Sequence, residues 1–267
     1  MKKLIFVEFR RNLRSLILWA GIVAGTAALM LMLYPAFKDA FAEMEVLYTM
    51  FPPEFLEAFG MGEGGLDMSS FYGWFGVEGF LFVNLIGGSY AAILGGSILS
   101  KEEDDKTIEF LLSKPISRSK ILFGKALVVL MNLLLMNILV SAVLLIAFMI
   151  YGDVNGMVWF LYSFAPLILQ MIFASLSFLI SVFVTKSRKV LSIALGIVIG
   201  TYVIDLISKL TDEFEFLKYM SPYEFINAVT IVNDEMLKPI YLIISVIIIG
   251  VSFALAWLFY RKKDITA

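Results

Sequence analysis

Six stretches of the chain are apolar enough, and long enough, to cross a ~30 Å hydrocarbon layer, which takes roughly 17–25 helical residues each. They run at about 16–34, 74–99, 127–150, 157–184, 190–207 and 239–260. Lipid offers no hydrogen-bond partner to an open backbone, so spans of this length have to be helices. The expected fold is an all-α integral membrane protein, one transmembrane domain over residues 1–267. Composition agrees. Of the 267 residues, 60% are apolar and 16% charged, against about 45–50% and 25% in a soluble domain. The first span has a basic flank like a signal peptide. Its apolar run is longer than an h-region and no small-x-small cleavage site follows, so it is expected to be retained.

Lysine and arginine orient the spans. With both termini in the cytoplasm, 17 of the 21 cations fall on the inner side. They lie before the first span, between the second and third, between the fourth and fifth, and after the last. Lys38, Lys209, Lys218 and Lys238 remain outside. The expectation is a multi-pass protein of the cell membrane with cytoplasmic termini.

Cysteine and histidine are both absent. That removes disulfides, thiolate nucleophiles, Cys/His metal sites and any imidazole base. A net charge of −2 gives no argument for nucleic acid. A membrane-embedded enzyme is left with few constellations to use.

Four segments carry the remaining information. At 100° per residue, Ile5, Phe6, Phe9 and Leu13 share one face and Lys3, Arg10, Arg11 and Arg14 another. The expectation is an amphipathic helix along the inner membrane surface, serving as an anchor alone or as an anchor and partner contact. The outer segment 35–73 carries seven acids against Lys38, and Pro52-Pro53 with Gly62-x-Gly64-Gly65 breaks it up. The outer segment 208–238 interleaves aromatic and acidic residues, which suits short interfacial helices before the last span. The second span carries Gly87, Ala91, Gly95 and Gly88, Ala92, Gly96, two rows of small residues at i, i+4. Such rows let helices approach closely, within one subunit or across a dimer seam.

Glu78 and Asp205 lie inside or at the edge of spans. A carboxylate there faces water at the interface or lines a polar pathway. The second use would suit an ion-coupled secondary transporter or channel, which remains the alternative function. Asn84, Asn132, Asn137 and Gln170 suit interhelical hydrogen bonds.

The loop at about 100–120 is the most structured polar segment. Glu102 to Asp105 place four acids where a helix N-terminus would welcome them. Ile108, Leu111 and Leu112 form one helical stripe. Pro115 ends that helix, and Ser117 is a candidate N-cap for the third span. The reading is a short amphipathic helix held between two spans.

The pattern Glu102…Lys106-Thr107-x-Glu109-x-Leu111-Leu112-x-x-Pro115-x-Ser117-Arg118…Gly124-Lys125 resembles the coupling-helix region of type-2 ABC exporter permeases. The six-span layout, the basic amphipathic start and Ser221-Pro222-Tyr223 extend the resemblance along the chain. Lys106 stands where many members have glycine. The resemblance implies a permease without its own ATPase, paired with a second permease subunit, identical or different. Its coupling helix would sit in a groove of a cytoplasmic ABC ATPase subunit that binds ATP and Mg. Glu102, Thr107, Glu109, Leu111, Leu112, Pro115 and Arg118 would then be contact or shape-setting residues. The sequence agrees independently on one point. Gly124-Lys125 is followed by Ala126 and lacks the upstream glycine of a phosphate-binding loop. ATP would have to be handled by a partner chain. The substrate expected from the apolar spans is amphipathic, lipid-like or a peptide antibiotic, moved outward.

Overall fold

A computed structural model describes residues 2–43, 51–62, 64–107, 116–151 and 154–263. Those residues hold six helices long and apolar enough to cross a membrane, and no strand. In chain order, α1 is Lys2–Glu43 and a short α2 is Pro53–Ala58. Helix α3 is Phe71–Asp104, α4 Arg118–Tyr151, α5 Gly156–Phe183 and α6 Ser187–Leu210. Two 3₁₀ turns, Asp212–Met220 and Glu224–Ile226, lead to a short α7, Ala228–Asn233. Helix α8 is Pro239–Lys262.

The first helix departs from expectation twice. The basic amphipathic segment and the first span form one unbroken helix, because nothing between Lys2 and Leu16 stops one. Pro35 lies inside it rather than at its end. A proline removes only one ladder bond, and the helix runs on through it. The short helices expected before the last span are the two 3₁₀ turns and α7.

Helices α3 and α5 form the central pair, with α1 and α4 packed on one side and α6 and α8 on the other. Glycine makes the central contact close. A Cβ on Gly95 would lie 2.3 Å from the Ala174 carbonyl oxygen, and one on Gly88 would meet Leu169 and Phe173 at 3.0 Å. A Cβ on Gly96 would come within 2.6 Å of Val190 on α6. Ala91 and Ala92 are fully buried in the same seam. The small-residue rows of the second span therefore face helices of their own chain.

Polar groups at mid-height pair between helices, as lipid requires. Asn137 Nδ2 donates to Gln170 Oε1 at 2.6 Å, joining α4 to α5, and Tyr90 OH reaches Asn132 Oδ1 at 3.4 Å, joining α3 to α4. Trp19 stacks on Tyr90 at 5.7 Å, holding α1 against α3.

Helix α3 opens with a π-helical turn, Phe75–Gly79. Such turns are rare and concentrate at functional sites. This one contains Glu78, half-buried.

Candidate functional site

The spans leave two polar regions, one at each end of the bundle. The start of α1, the end of α8, the start of α4 and the α5–α6 turn share one end, here the basic end. The α2 region, the 3₁₀ turns and α7 form the far end.

At the basic end, α1, α3 and α4 meet around a buried lysine. Lys125 is fully buried and donates to the Ile98 carbonyl at 2.6 Å. Its Nζ lies 3.0 Å from Glu102 Oε2 and 3.4 Å from Glu8 Oε1. Arg11, 46% exposed, stands 3.7 Å from both carboxylates. Two acids and two cations thus balance. An unpaired buried charge costs several kcal/mol, so the buried members, Lys125, Glu8 and Glu102, depend on one another, while half-exposed Arg11 adds less. The neighbouring glycine has a separate task. A Cβ on Gly124 would lie 3.2 Å from Leu4 Cδ2, so its absence lets α1 come down onto α4. Glycine for approach and lysine for charge is the physical content of Gly124-Lys125. Glu8 and Arg11 were not expected in this cluster. An acid on the polar side of a basic amphipathic helix was the available signal.

The four acids of the loop stem do not sit at a helix N-terminus. They follow Lys101 at the C-terminal end of α3, where the helix dipole disfavours them. Specific partners offset that placement. Glu102 faces Lys125. Glu103 takes two hydrogen bonds from Lys263 Nζ, at 2.6 and 2.8 Å. Asp104 Oδ2 accepts from the Ser187 N–H at 3.1 Å, at the start of α6. Arg118 Nη1 donates to the Lys263 carbonyl at 2.5 Å, and Trp257 Nε1 to Ser119 Oγ at 3.0 Å. The stem is thereby tied to α1, α4, α6 and the end of α8.

Helix α3 ends in a Schellman motif. The Thr107 N–H bonds the Glu102 carbonyl at 2.9 Å and the Lys106 N–H bonds that of Glu103 at 3.2 Å. Lys106 takes φ +55°, the left-handed conformation that glycine adopts most easily. The backbone that a glycine would supply is kept although lysine stands there. Ser117 Oγ accepts from the Lys120 N–H at 3.4 Å at the start of α4. Glu109, Leu111, Leu112 and Pro115 lie outside the described residues, so the expected loop helix does too.

At the far end, Lys209 holds two acids together. Its Nζ lies 2.7 Å from Asp205 Oδ2 and 3.4 Å from Glu224 Oε2, so α6 is pinned to the second 3₁₀ turn. Asn227 Nδ2 donates to the same Glu224 oxygen at 2.8 Å. A chamber of about 110 Å³ lies beneath, between α3, α6 and the turns. A wider vestibule of about 910 Å³ lies above it. Glu57, Gly60, Lys209, Asn227 and Val229 border both. Asp205 lines the chamber with Asn84. Glu78 does not, although Val77 beside it does. Glu78 is therefore not part of the chamber's lining, although Tyr202, which is, lies within electrostatic reach of both carboxylates. Among the described residues no group of three or more acidic, His or Cys side chains could hold a metal ion.

No curated protein sequence matches the chain. One family model does, over residues 4–265, and its description is ABC-2 family transporter protein. Six spanning helices and a match along nearly the whole chain place it as a multi-pass membrane protein, and the chain belongs to the ABC-2 transporter family.

Proposed function

We propose that the chain is the membrane subunit of an ATP-driven exporter. A separate ATPase subunit binds ATP and Mg, and its closure reaches the spans through the 100–120 loop. The basic end faces the cytoplasm and cargo leaves at the far end. The positive-inside bias supports that orientation, and the lack of a phosphate-binding loop supports an ATPase in trans.

The observation that carries the reading is the stem of the loop. Glu102, Glu103 and Asp104 each bind a different part of the bundle. A push delivered to a segment held in this way displaces α1, α4, α6 and α8 together. A plain connector would need none of these bonds.

Two copies are the working unit in this reading. The supporting feature is a pair of glycine rows away from the central seam. A Cβ on Gly21 or Gly25 of α1, or on Gly196 or Gly200 of α6, would meet nothing within 4 Å. Small-xxx-small rows on open helix faces suit contact with a second subunit. Each pair has the G-x-x-x-G spacing in the sequence.

The test is to tag the chain, extract it gently from its native membrane and identify what co-purifies. The expected result is a stoichiometric protein bearing a phosphate-binding loop, held less well after Glu109→Lys. A chain recovered alone that still moves solute in vesicles without ATP overturns the proposal and favours the ion-coupled alternative.

A further inference from the structure

The end of α8 grips both roots of the 100–120 loop. One root is Glu103, in the last turn of α3; the other is Arg118, at the start of α4. Lys263, the residue after α8, binds the first through its side chain and the second through its backbone. Its Nζ donates to both Glu103 oxygens, at 2.6 and 2.8 Å. Its carbonyl accepts from Arg118 Nη1 at 2.5 Å, and the Arg261 carbonyl lies 3.5 Å from the same nitrogen. Arg118 thereby satisfies carbonyls that a helix end leaves open. Trp257 donates to Ser119 Oγ at 3.0 Å, and the Arg261 guanidinium covers its ring at 4.8 Å.

The ion pair in this clasp is sheltered from water. The Lys263 and Glu103 side chains are 18% and 7% exposed. Exposed pairs contribute little, whereas each member of a sheltered pair depends on the other. The rest of α8 is held on one side only. Its buried residues, Tyr241, Ser245, Ser252, Ala256 and Tyr260, recur at intervals of four or seven, which is one narrow helix stripe. Ile243, Val246, Ile247 and Val251 on its other faces are exposed. At the far end Tyr241 stacks on Phe225 of the second 3₁₀ turn, with ring centroids 5.1 Å apart. At 1.5 Å per residue, a 24-residue helix is about 36 Å long. One unbroken span therefore joins the loop roots to the turn that carries Glu224.

We infer that Lys263 is a positioning residue for coupling: it fixes both roots of the 100–120 loop to the end of α8, so that α8 carries their displacement to the far-end turns. The inference rests on the exporter function proposed above. With the Lys263 side chain cut, the root leaving α3 is free of α8, and a displacement of the loop is absorbed at its base. The root entering α4 stays bound, because the Lys263 carbonyl remains.

The first experiment needs no ATPase. Spin labels at Lys101→Cys and Lys120→Cys, both exposed, report the separation of the roots in the purified chain by pulsed electron resonance. Lys263→Met should broaden that distance distribution. Lys263→Arg, which returns a charged donor to Glu103, should not. The second experiment uses the complex with its co-purified ATPase and labels at Lys38→Cys and Lys238→Cys. Lys263→Met should reduce the change in their distance on ATP trapping ~2-fold or more, while ATP hydrolysis falls by less. Lys263→Arg should restore the change, and so should the exchanged pair Glu103→Lys with Lys263→Glu. Melting temperatures check folding, and Glu103→Leu keeps the test decisive should Lys263→Met misfold. An unchanged root distribution in both Lys263→Met and Glu103→Leu overturns the inference. So does a full far-end change in a variant whose roots have loosened. A wild-type complex that hydrolyses ATP with no far-end change overturns the exporter reading itself, and this inference with it.

Discussion

Lys125 shows how much one residue can be asked to do. It is fully buried, and two other helices send it three oxygens, two from α3 and one from α1. Lys125→Met removes the charge and leaves Glu8 and Glu102 facing each other. It should destabilise the chain by about 3–5 kcal/mol. Arg11→Met removes a half-exposed partner and should cost less than about 1 kcal/mol. Reversible unfolding in mixed micelles ranks the two, and equal losses would remove the cluster from its central place. Lys106 offers the opposite sign. Its left-handed backbone costs a non-glycine residue roughly 1–2 kcal/mol. Lys106→Gly should therefore stabilise by about 1 kcal/mol in the same assay, whereas Lys106→Ala should gain nothing. At this scale sequence reading was least secure. Gly124-Lys125 was visible as a motif, but its meaning depends on Leu4 and Glu8, more than a hundred residues away.

Elements were easier to read than their ends. Span positions followed from apolar length, which lipid enforces. Boundaries slipped where a local signal met a stronger helix. The first span is placed at about 16–34, but α1 runs on through Pro35 to Glu43, since a proline removes only one ladder bond. Glu102 to Asp105 were read as starting a helix and instead finish one, because their partners on α1, α6 and α8 were invisible along the chain. Glycine rows show the same limit. Periodicity says that a face is narrow, not what lies against it. The structure separates the two kinds, and substitution should too. Gly95→Ala drives a methyl into the Ala174 carbonyl and should cost about 1–3 kcal/mol by prising α3 from α5. A Cβ on Gly196 meets nothing within 4 Å, so Gly196→Leu projects from an open helix face. It should leave the fold intact while lowering the dimer fraction, read by light scattering in detergent. A Gly196→Leu chain that dimerises normally would move the seam elsewhere.

The whole molecule has charged clusters at its two ends and a tightly packed seam with a few paired amides between them. At the basic end, charges tie the loop stem to four helices. At the far end, Lys209 borders both a chamber and a wider vestibule. The central pair α3 and α5 spans the distance with glycine-close packing. The all-α class and its six spans were legible from composition and length, and the family from one loop motif. The far-end chamber was not, since Asn84 and Asp205 are far apart in sequence and each reads alone as an ordinary polar residue in a span.

The central claim is that a push at the basic end reaches the far end. The chain has no cysteine, so labels can be placed cleanly at Lys38→Cys on α1 and Lys238→Cys before α8. Both sites are exposed at the far end. Their separation is measured by pulsed electron resonance in the complex with its co-purified ATPase, with and without ATP trapped. The account predicts a distance shift of about 5 Å or more on trapping, the scale of one helical turn, and its loss when Lys125→Met cuts the basic-end cluster in a chain still bound to the ATPase. An identical distance distribution with and without ATP, in a complex that hydrolyses it, would contradict the account.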